Sequence, residues 1–230
     1  IDLFPFLYVH AGGDECPTTE WEASETARAL MSSEGYTGTA QLQGWFTGRI
    51  AEHVAAKGRV LVGWDEVLEG GAPEGTVVMS WRGEQAGAEA AAAGHDVVMA
   101  PVQWLYLDWS YVDDPAEPVA IFPATSVERV YKYDPRHSVE EAARQHLLGA
   151  QGQLWTEYVT SAAHAEYMYF PRLCALSEVV WSARRGAGSP SYGDFESRLR
   201  LHLGRLAALD VNFRPLEGPT PGQSRIWREH

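Results

Sequence analysis

Short apolar runs alternate with helical patterns along most of this 230-residue chain, and that alternation limits the fold more than any other feature. Residues 3–9, LFPFLYV, form a continuous apolar run ending at two glycines, which predicts a strand buried on both faces, as in a parallel sheet. After a loop, Leu42, Trp45, Phe46, Ile50 and Val54 share one helical face, with Gly58 as a C-terminal cap. RVLVGW (59–64), TVVMSW (76–81) and DVVMAP (96–101) predict three further strands, and EQAGAEAAAA (84–93) predicts a helix stopped by Gly94. Ser138 and Glu141 have capping-box spacing for a helix through Leu148, and GAQGQLWTEYV (149–159) predicts a fifth strand. Helical stretches over 162–184, kinked by Pro171, and over 194–209 complete the pattern. Strand then helix, repeated, requires parallel strands joined by helical crossovers, an α/β fold. Residues 112–137, with Pro115, Pro118, Pro123 and Pro135, are the longest irregular stretch, and the polar, Pro/Gly-rich tail after Arg214 is expected at the surface.

Composition narrows the partners. A net charge of −13 opposes nucleic acid and anionic membrane surfaces, which repel an acidic protein. No apolar run approaches the roughly 20 residues that span a bilayer. With 45% apolar residues, nine Trp and ten Tyr, the chain can build a substantial core, which argues against disorder. Cys16 and Cys174 are too few for a disulfide scaffold or a cysteine zinc cluster and are expected as free thiols. The chain opens on Ile1 without a signal-peptide pattern, so it is expected to be a piece of a longer polypeptide and gives no compartment.

The predicted strands end on a recurring chemistry. Four of the five finish in a Trp, an acid or both: Asp14–Glu15, Trp64–Asp65–Glu66, Trp81, and Trp155 with Glu157. The remaining strand leads into Tyr106 and Asp108. In parallel α/β folds the carboxyl ends of strands form the ligand face. Aromatic rings and carboxylates gathered there suit a sugar, the rings covering apolar faces and the acids accepting hydroxyls.

Asp14 and Glu15 pose a geometric problem. Neighbouring side chains on a strand point to opposite faces, so two adjacent acids share one chemistry only if the chain turns there. Gly12 and Gly13 permit that turn. Glycoside hydrolysis ordinarily needs two carboxyl groups on opposite sides of the scissile bond, a poor fit for sequence neighbours. One of the pair can still protonate the leaving oxygen. The other then suits a substrate-assisted route, in which the sugar's 2-acetamido oxygen is the nucleophile and a carboxylate orients the amide. On spacing alone, Asp65–Glu66 competes for the same work, and a solvated loop remains open for Asp14–Glu15. No second His or Cys stands at ligand spacing from His10, so that residue is expected to pack or support and not to bind metal.

HAGGDECPTTEW resembles the His-x-Gly-Gly-Asp-Glu signature of family 20 glycoside hydrolases, the β-N-acetylhexosaminidases. The likeness continues in order through VLVGWDEVLEGG, VVMSWRG, YLDWSY, GAQGQLWTEYV and EYMYFPRLCALSEVVWS, up to about Arg214. It implies a (β/α)8 TIM-type barrel of which this chain supplies about the last five β/α units: residues 1–214 as the C-terminal part of the catalytic barrel and 215–230 as a surface tail. By that resemblance Glu15 is the general acid/base, Asp14 orients the acetamide, and Tyr106 hydrogen-bonds the acetamide oxygen. Trp64, Trp81 and Trp155 wall the sugar pocket, Asp108 and Glu157 take sugar hydroxyls, and Asp65–Glu66 falls to a supporting role. Glu15 is thereby expected among the tryptophans. The implied reaction is retaining exo-hydrolysis of terminal β-linked GlcNAc or GalNAc, with no metal or organic cofactor. The loop after Asp108 offers Phe122 where the family usually offers a tryptophan to the leaving-group side. The first three barrel strands, with the family's sugar-gripping arginine, are expected from an upstream segment or a partner chain. A carbohydrate-binding protein without catalysis would keep the tryptophans but need no acid at position 15. A metal-dependent hydrolase built on the acidic pairs would want clustered histidines.

Overall fold

The computed structural model describes residues 3–122, 124–182 and 190–219. The chain divides into two compact units, one of Ile1–Met99 with Arg136–Gly149 and one of Ala100–Pro135 with Ala150–His230. The first unit runs β1 (Tyr8–His10), α1 (Thr19–Ala23), α2 (Glu25–Glu34), α3 (Thr39–Ala56), β2 (Val60–Trp64), β3 (Val77–Ser80), α4 (Gln85–Ala92), β4 (Val97–Met99) and β5 (Leu147–Ala150). The strands form one sheet in chain order, β1-β2-β3-β4-β5. Parallel registers pair Val9 with Leu61, Gly63 with Val78, and Met79 with Val98. Val62, Trp64, Val77 and Met79 make a buried cluster on β2 and β3, with Trp81 packed against it. Each such side chain contributes roughly 1.5–3 kcal/mol through removal from water, which fixes the two strand ends that carry the tryptophans.

Four expectations are corrected here. Residues 3–7 are not a doubly buried strand: only Tyr8–His10 pairs, and Leu3, Phe4 and Phe6 are 89%, 67% and 71% exposed. Pro5 lacks a ladder donor, and among the described residues the run has a strand partner on β2 alone. The loop expected before α3 holds two helices. The Ser24 hydroxyl accepts the Ala27 N–H to start α2, and Gly35, at φ +72°, ends it. The helix expected from Ser138 is a 3-10 turn over Glu141–His146, because the chain enters β5 at Leu147. Accordingly, strand pairing begins before residue 149 and resumes as a single parallel bridge, Tyr106 with Gln153.

The second unit carries α5 (Val102–Leu105), α6 (Val127–Lys132), α7 (Ala162–Tyr169), α8 (Arg172–Trp181) and α9 (Tyr192–Ala208). The long helical stretch breaks in two at Phe170–Pro171, and α6 lies within the stretch expected to be irregular, of which Pro123 is outside the described residues. Tyr131 of α6 stacks on Phe195 of α9 with centroids 4.4 Å apart. A buried pair, Arg214 with Glu117 at 2.6 Å, is shared with the Tyr167 hydroxyl, which donates to Glu117 at 2.8 Å. Among the described residues no helix is long and apolar enough to cross a membrane, and both cysteines are free.

One close approach sets the position of the segment after β2. Within α3, a Cβ on Gly44 would stand 2.1 Å from the Gly70 carbonyl oxygen. Ala is favoured over Gly in a helix by about 1 kcal/mol. Overpacking costs about 1–3 kcal/mol, and here the cost falls in the upper half of that range because the obstacle is backbone that has no rotamer to change. Gly44→Ala is therefore expected to destabilise the protein by roughly 1–2 kcal/mol net, seen as a lower urea midpoint at unchanged slope. An unchanged midpoint would mean that the two backbones do not touch in solution.

Candidate active site

The first unit turns where the two adjacent acids require it. β1 ends at His10, Ala11 N–H donates to the Val62 carbonyl at 2.9 Å, and the Gly12 carbonyl accepts the Trp64 N–H at 3.0 Å. Gly12 and Gly13 then take φ of +74° and +105°. From α3, Gln43 Nε2 donates to the Gly13 carbonyl at 2.7 Å and holds the turn. Glu15 follows at φ +46°, a left-handed conformation that costs a non-glycine residue about 1 kcal/mol or more. Such strain persists where the surrounding structure imposes it, as it does here through the paired glycines and Gln43.

His10 supports this turn. Its Nδ1 accepts the Gly12 N–H at 3.0 Å, which requires an unprotonated Nδ1, and its ring packs on Trp64 with centroids 4.8 Å apart. Desolvation pulls its pKa below the usual imidazole value, partly opposed by the charge of Asp14. Asp14 and Glu15 are exposed within this unit, and Glu15 lines a cleft of about 370 Å³ with Gln43, Glu66, Trp81 and Arg82. Glu15 is thus not enclosed by tryptophans here: Trp64 is committed to the buried β2–β3 cluster, and of the tryptophans only Trp81 lines the cleft.

The second acidic pair has a visible occupation. Asp65, fully buried, accepts the backbone N–H groups of Trp81 (2.9 Å) and Arg82 (3.2 Å) and pairs with the Arg82 guanidinium. Both Glu66 oxygens accept the Trp81 indole N–H, at 3.1 and 3.0 Å. Burial raises the Glu66 pKa above the usual carboxylate range, against the lowering pull of the Trp81 hydrogen bond and Arg82. Hydrogen bonds to Glu69 and Asp65 raise that of Arg82 despite its own desolvation. Asp65 and Glu66 therefore fasten Trp81 at the end of β3. Glu15 is the acid with a strained backbone beside the cleft and no such engagement among its described hydrogen bonds.

In the second unit, Tyr106 and Asp108 follow α5. Leu107 N–H donates to the Gln153 carbonyl at 2.6 Å, and Gln153 N–H donates to the Leu105 carbonyl at 2.8 Å. Trp155 is 40% exposed and lines a cavity of about 500 Å³ with Gln151, Gln153 and Leu173; Glu157 is exposed. Asp108 is the anomaly. It is 3% exposed, and among the described residues no donor from another residue reaches either carboxylate oxygen. Desolvation, reinforced by the charge of Glu157, lifts its pKa to about 6, while its own backbone N–H and the charge of Arg172 pull the other way. Arg172 escaped the sequence reading, although a cation inside the apolar stretch YFPRLCAL was a signal. Among the described residues no group of three His, Cys, Asp or Glu could hold a metal ion.

A raised carboxylate pKa carries a definite sign. Asp108 favours the folded state fully below its unfolded pKa near 3.8, and that contribution is lost as pH rises through about 6. At neutral pH the buried carboxylate costs on the order of 3 kcal/mol at most. Asp108→Asn is expected to remove this pH-dependent part, so that between pH 4 and 7 the variant loses less stability than the parent. Denaturant melts of both proteins at several pH values check this, and parallel pH profiles would refute it.

Residues 1–184 match the family described as glycosyl hydrolase family 20, catalytic domain. A β-hexosaminidase of Porphyromonas gingivalis is 38% identical over 224 residues, covering 96% of this chain and 28% of the relative. A β-hexosaminidase of Vibrio furnissii is also 38% identical, over 179 residues, 76% of this chain and 29% of the relative. The crystal structure of the GH20 exo-β-N-acetylglucosaminidase of Vibrio harveyi in complex with N-acetylglucosamine superimposes with a TM-score of 0.85 at 35% identity, covering 94% of this chain and 34% of that one. The chain thus spans about a third or less of the length of these proteins. Its five sequential strands are part of a (β/α)8 barrel.

Proposed function

Because this chain belongs to glycosyl hydrolase family 20, we propose that it is the C-terminal part of a retaining exo-β-N-acetylhexosaminidase acting on terminal β-linked GlcNAc or GalNAc. In this reading residues 1–214 belong to the catalytic barrel and 215–230 to a surface tail, of which 220–230 lie outside the described residues. The observation that carries the reading is the turn at Gly12–Gly13, which delivers Glu15 to a cleft in a strained conformation while Asp65 and Glu66 are engaged by Trp81 and Arg82.

Glu15 gives its proton to the glycosidic oxygen as the bond to the anomeric carbon breaks. The substrate's acetamide oxygen attacks that carbon from the opposite face and closes an oxazolinium ring. Asp14 accepts the acetamide N–H and balances the positive charge, and the Tyr106 hydroxyl donates to the acetamide oxygen and aims it. Glu15, now a carboxylate, takes a proton from water as the water opens the ring. Two inversions at one carbon give net retention. Trp81 and Trp155 supply apolar faces, Trp64 supports the end of β2 from within the buried cluster, and Asp108 and Glu157 accept sugar hydroxyls. The chemistry needs no metal or organic cofactor.

The exposed apolar run at Leu3, Phe4 and Phe6 supports a role for the remaining barrel strands, because an open apolar edge promotes aggregation until it is covered. The full-length polypeptide is expected to hydrolyse an aryl β-GlcNAc with the β-sugar appearing first in NMR. The isolated 230 residues are expected to be inactive or to require the upstream segment or a partner chain. First appearance of the α-sugar would refute the mechanism, and brisk turnover by the isolated monomeric chain would refute the need for further strands.

A further inference from the structure

Arg172, the first residue of α8, is completely buried, and among the described residues its five hydrogen bonds run to backbone carbonyls and none to a carboxylate. Its Nε donates to Met168 O at 3.1 Å. One terminal nitrogen donates to Trp109 O (2.7 Å) and Thr125 O (3.0 Å), the other to Leu107 O (2.6 Å) and Met168 O (2.6 Å). Those contacts use all five donors of the guanidinium. The group also lies over the Tyr111 ring, 3.8 Å from its centroid. A buried cation without an ion pair is costly, and a core needs no such residue merely to close.

Two of the gripped carbonyls, Leu107 and Trp109, flank Asp108, and a third, Thr125, lies at the far end of the loop that follows it. Between these fixed points, the Asp108 carboxylate is buried yet receives no donor from another described residue. We infer that Arg172 is a positioning residue for substrate recognition, holding the backbone on both sides of Asp108 so that its unoccupied oxygens are kept for sugar hydroxyls. This rests on the reading of Asp108 as a hydroxyl ligand.

Charge adds to geometry. The groups acting on Asp108 are Glu157, which disfavours its ionisation, and Arg172, which favours it. Tyr111, Glu117 and Asp108 in turn favour the charged form of Arg172 against its burial. Removing the cation makes Asp108 easier to protonate, so the acid limb of the pH profile moves to higher pH. A residue that only fastened the core would leave that limb in place.

The test uses Arg172→Met, Arg172→Lys and Asp108→Asn in the full-length enzyme, assayed on 4-nitrophenyl β-GlcNAc and its 4-deoxy and 6-deoxy analogues. The parent is expected to prefer one or both hydroxylated forms by roughly ten- to a hundredfold in kcat/KM, as a charged acceptor for a hydroxyl implies. Arg172→Met should lose most of that preference, raise KM more than it lowers kcat, and shift the acid limb upward. Arg172→Lys, which keeps the charge but not the fork, should lose preference without the pH shift. If Asp108→Asn keeps the full preference, Asp108 is not the ligand and the reading beneath the inference fails. If Asp108→Asn loses it while folded Arg172 variants keep it, the inference alone fails. Loss of folded structure in both Arg172 variants, judged by circular dichroism, makes Arg172 a core fastener and also overturns it.

Discussion

Glu15→Gln is expected to slow hydrolysis of alkyl β-N-acetylglucosaminides by roughly 10²- to 10⁴-fold while costing nitrophenyl substrates far less. An alkoxide leaves only with a proton, whereas a nitrophenolate departs with little help. Glutamine keeps the shape of Glu15 but has no acidic proton to transfer to the departing oxygen. Its backbone demand is the same, since the φ of +46° is imposed by Gly12, Gly13 and the Gln43 contact and not by the carboxyl group. The measurement is the ratio of kcat/KM for an alkyl and a nitrophenyl substrate, parent against variant. An unchanged ratio would remove Glu15 from the acid's role. A collapsed ratio in Glu66→Gln would transfer it to the second pair, although that carboxylate holds the Trp81 indole.

What could be read from residue order, and what could not, divides along physical lines. The turn at Asp14–Glu15 was legible because covalent geometry alone forbids adjacent strand residues from sharing a face, and the two glycines were in view. Strand order was legible because alternation of strands and helices leaves few topologies. The ranking of the two acidic pairs rested on the family resemblance alone, because Asp65 and Glu66 have the same chemistry as Asp14 and Glu15. What differs is that Asp65 is saturated by Trp81 and Arg82, residues 16 and 17 positions away. Burial of LFPFL was misjudged for a related reason. Apolarity records that a segment wants cover, not that the cover lies within the same stretch of chain. Helix α2 went unread although Ser24 and Gly35 mark its ends, since its apolar stripe is short, Ala27, Leu30 and Met31, in an otherwise polar sequence. Arg172 shows the converse case, in which a helix was legible but the carbonyls its first residue would grip lie up to 65 positions away.

Replacing the 2-acetamido group of the substrate by hydroxyl is expected to be the most damaging change of all. If the acetamide oxygen is the nucleophile, the matching β-glucoside has none. Well-oriented intramolecular nucleophiles have effective molarities of about 10⁵–10⁸ M, so the glucoside should react at least about 10⁵-fold more slowly. Asp14→Asn should move toward that limit from the protein's side, by roughly 10²- to 10³-fold, because a neutral amide neither orients the acetamide N–H nor balances the oxazolinium. Unlike Glu15→Gln, it should slow alkyl and nitrophenyl substrates alike, since it disables the attack and not the departure. The two effects should also fail to add: on the glucoside there is no acetamide for Asp14 to hold, so Asp14→Asn should change that rate little. Thiazoline analogues of the cyclised intermediate should bind the parent tightly and the Asp14→Asn variant weakly, because they resemble the state that Asp14 stabilises. Comparable rates on glucoside and N-acetylglucosaminide in the parent would place the nucleophile on the protein, and Asp14 would become its first candidate.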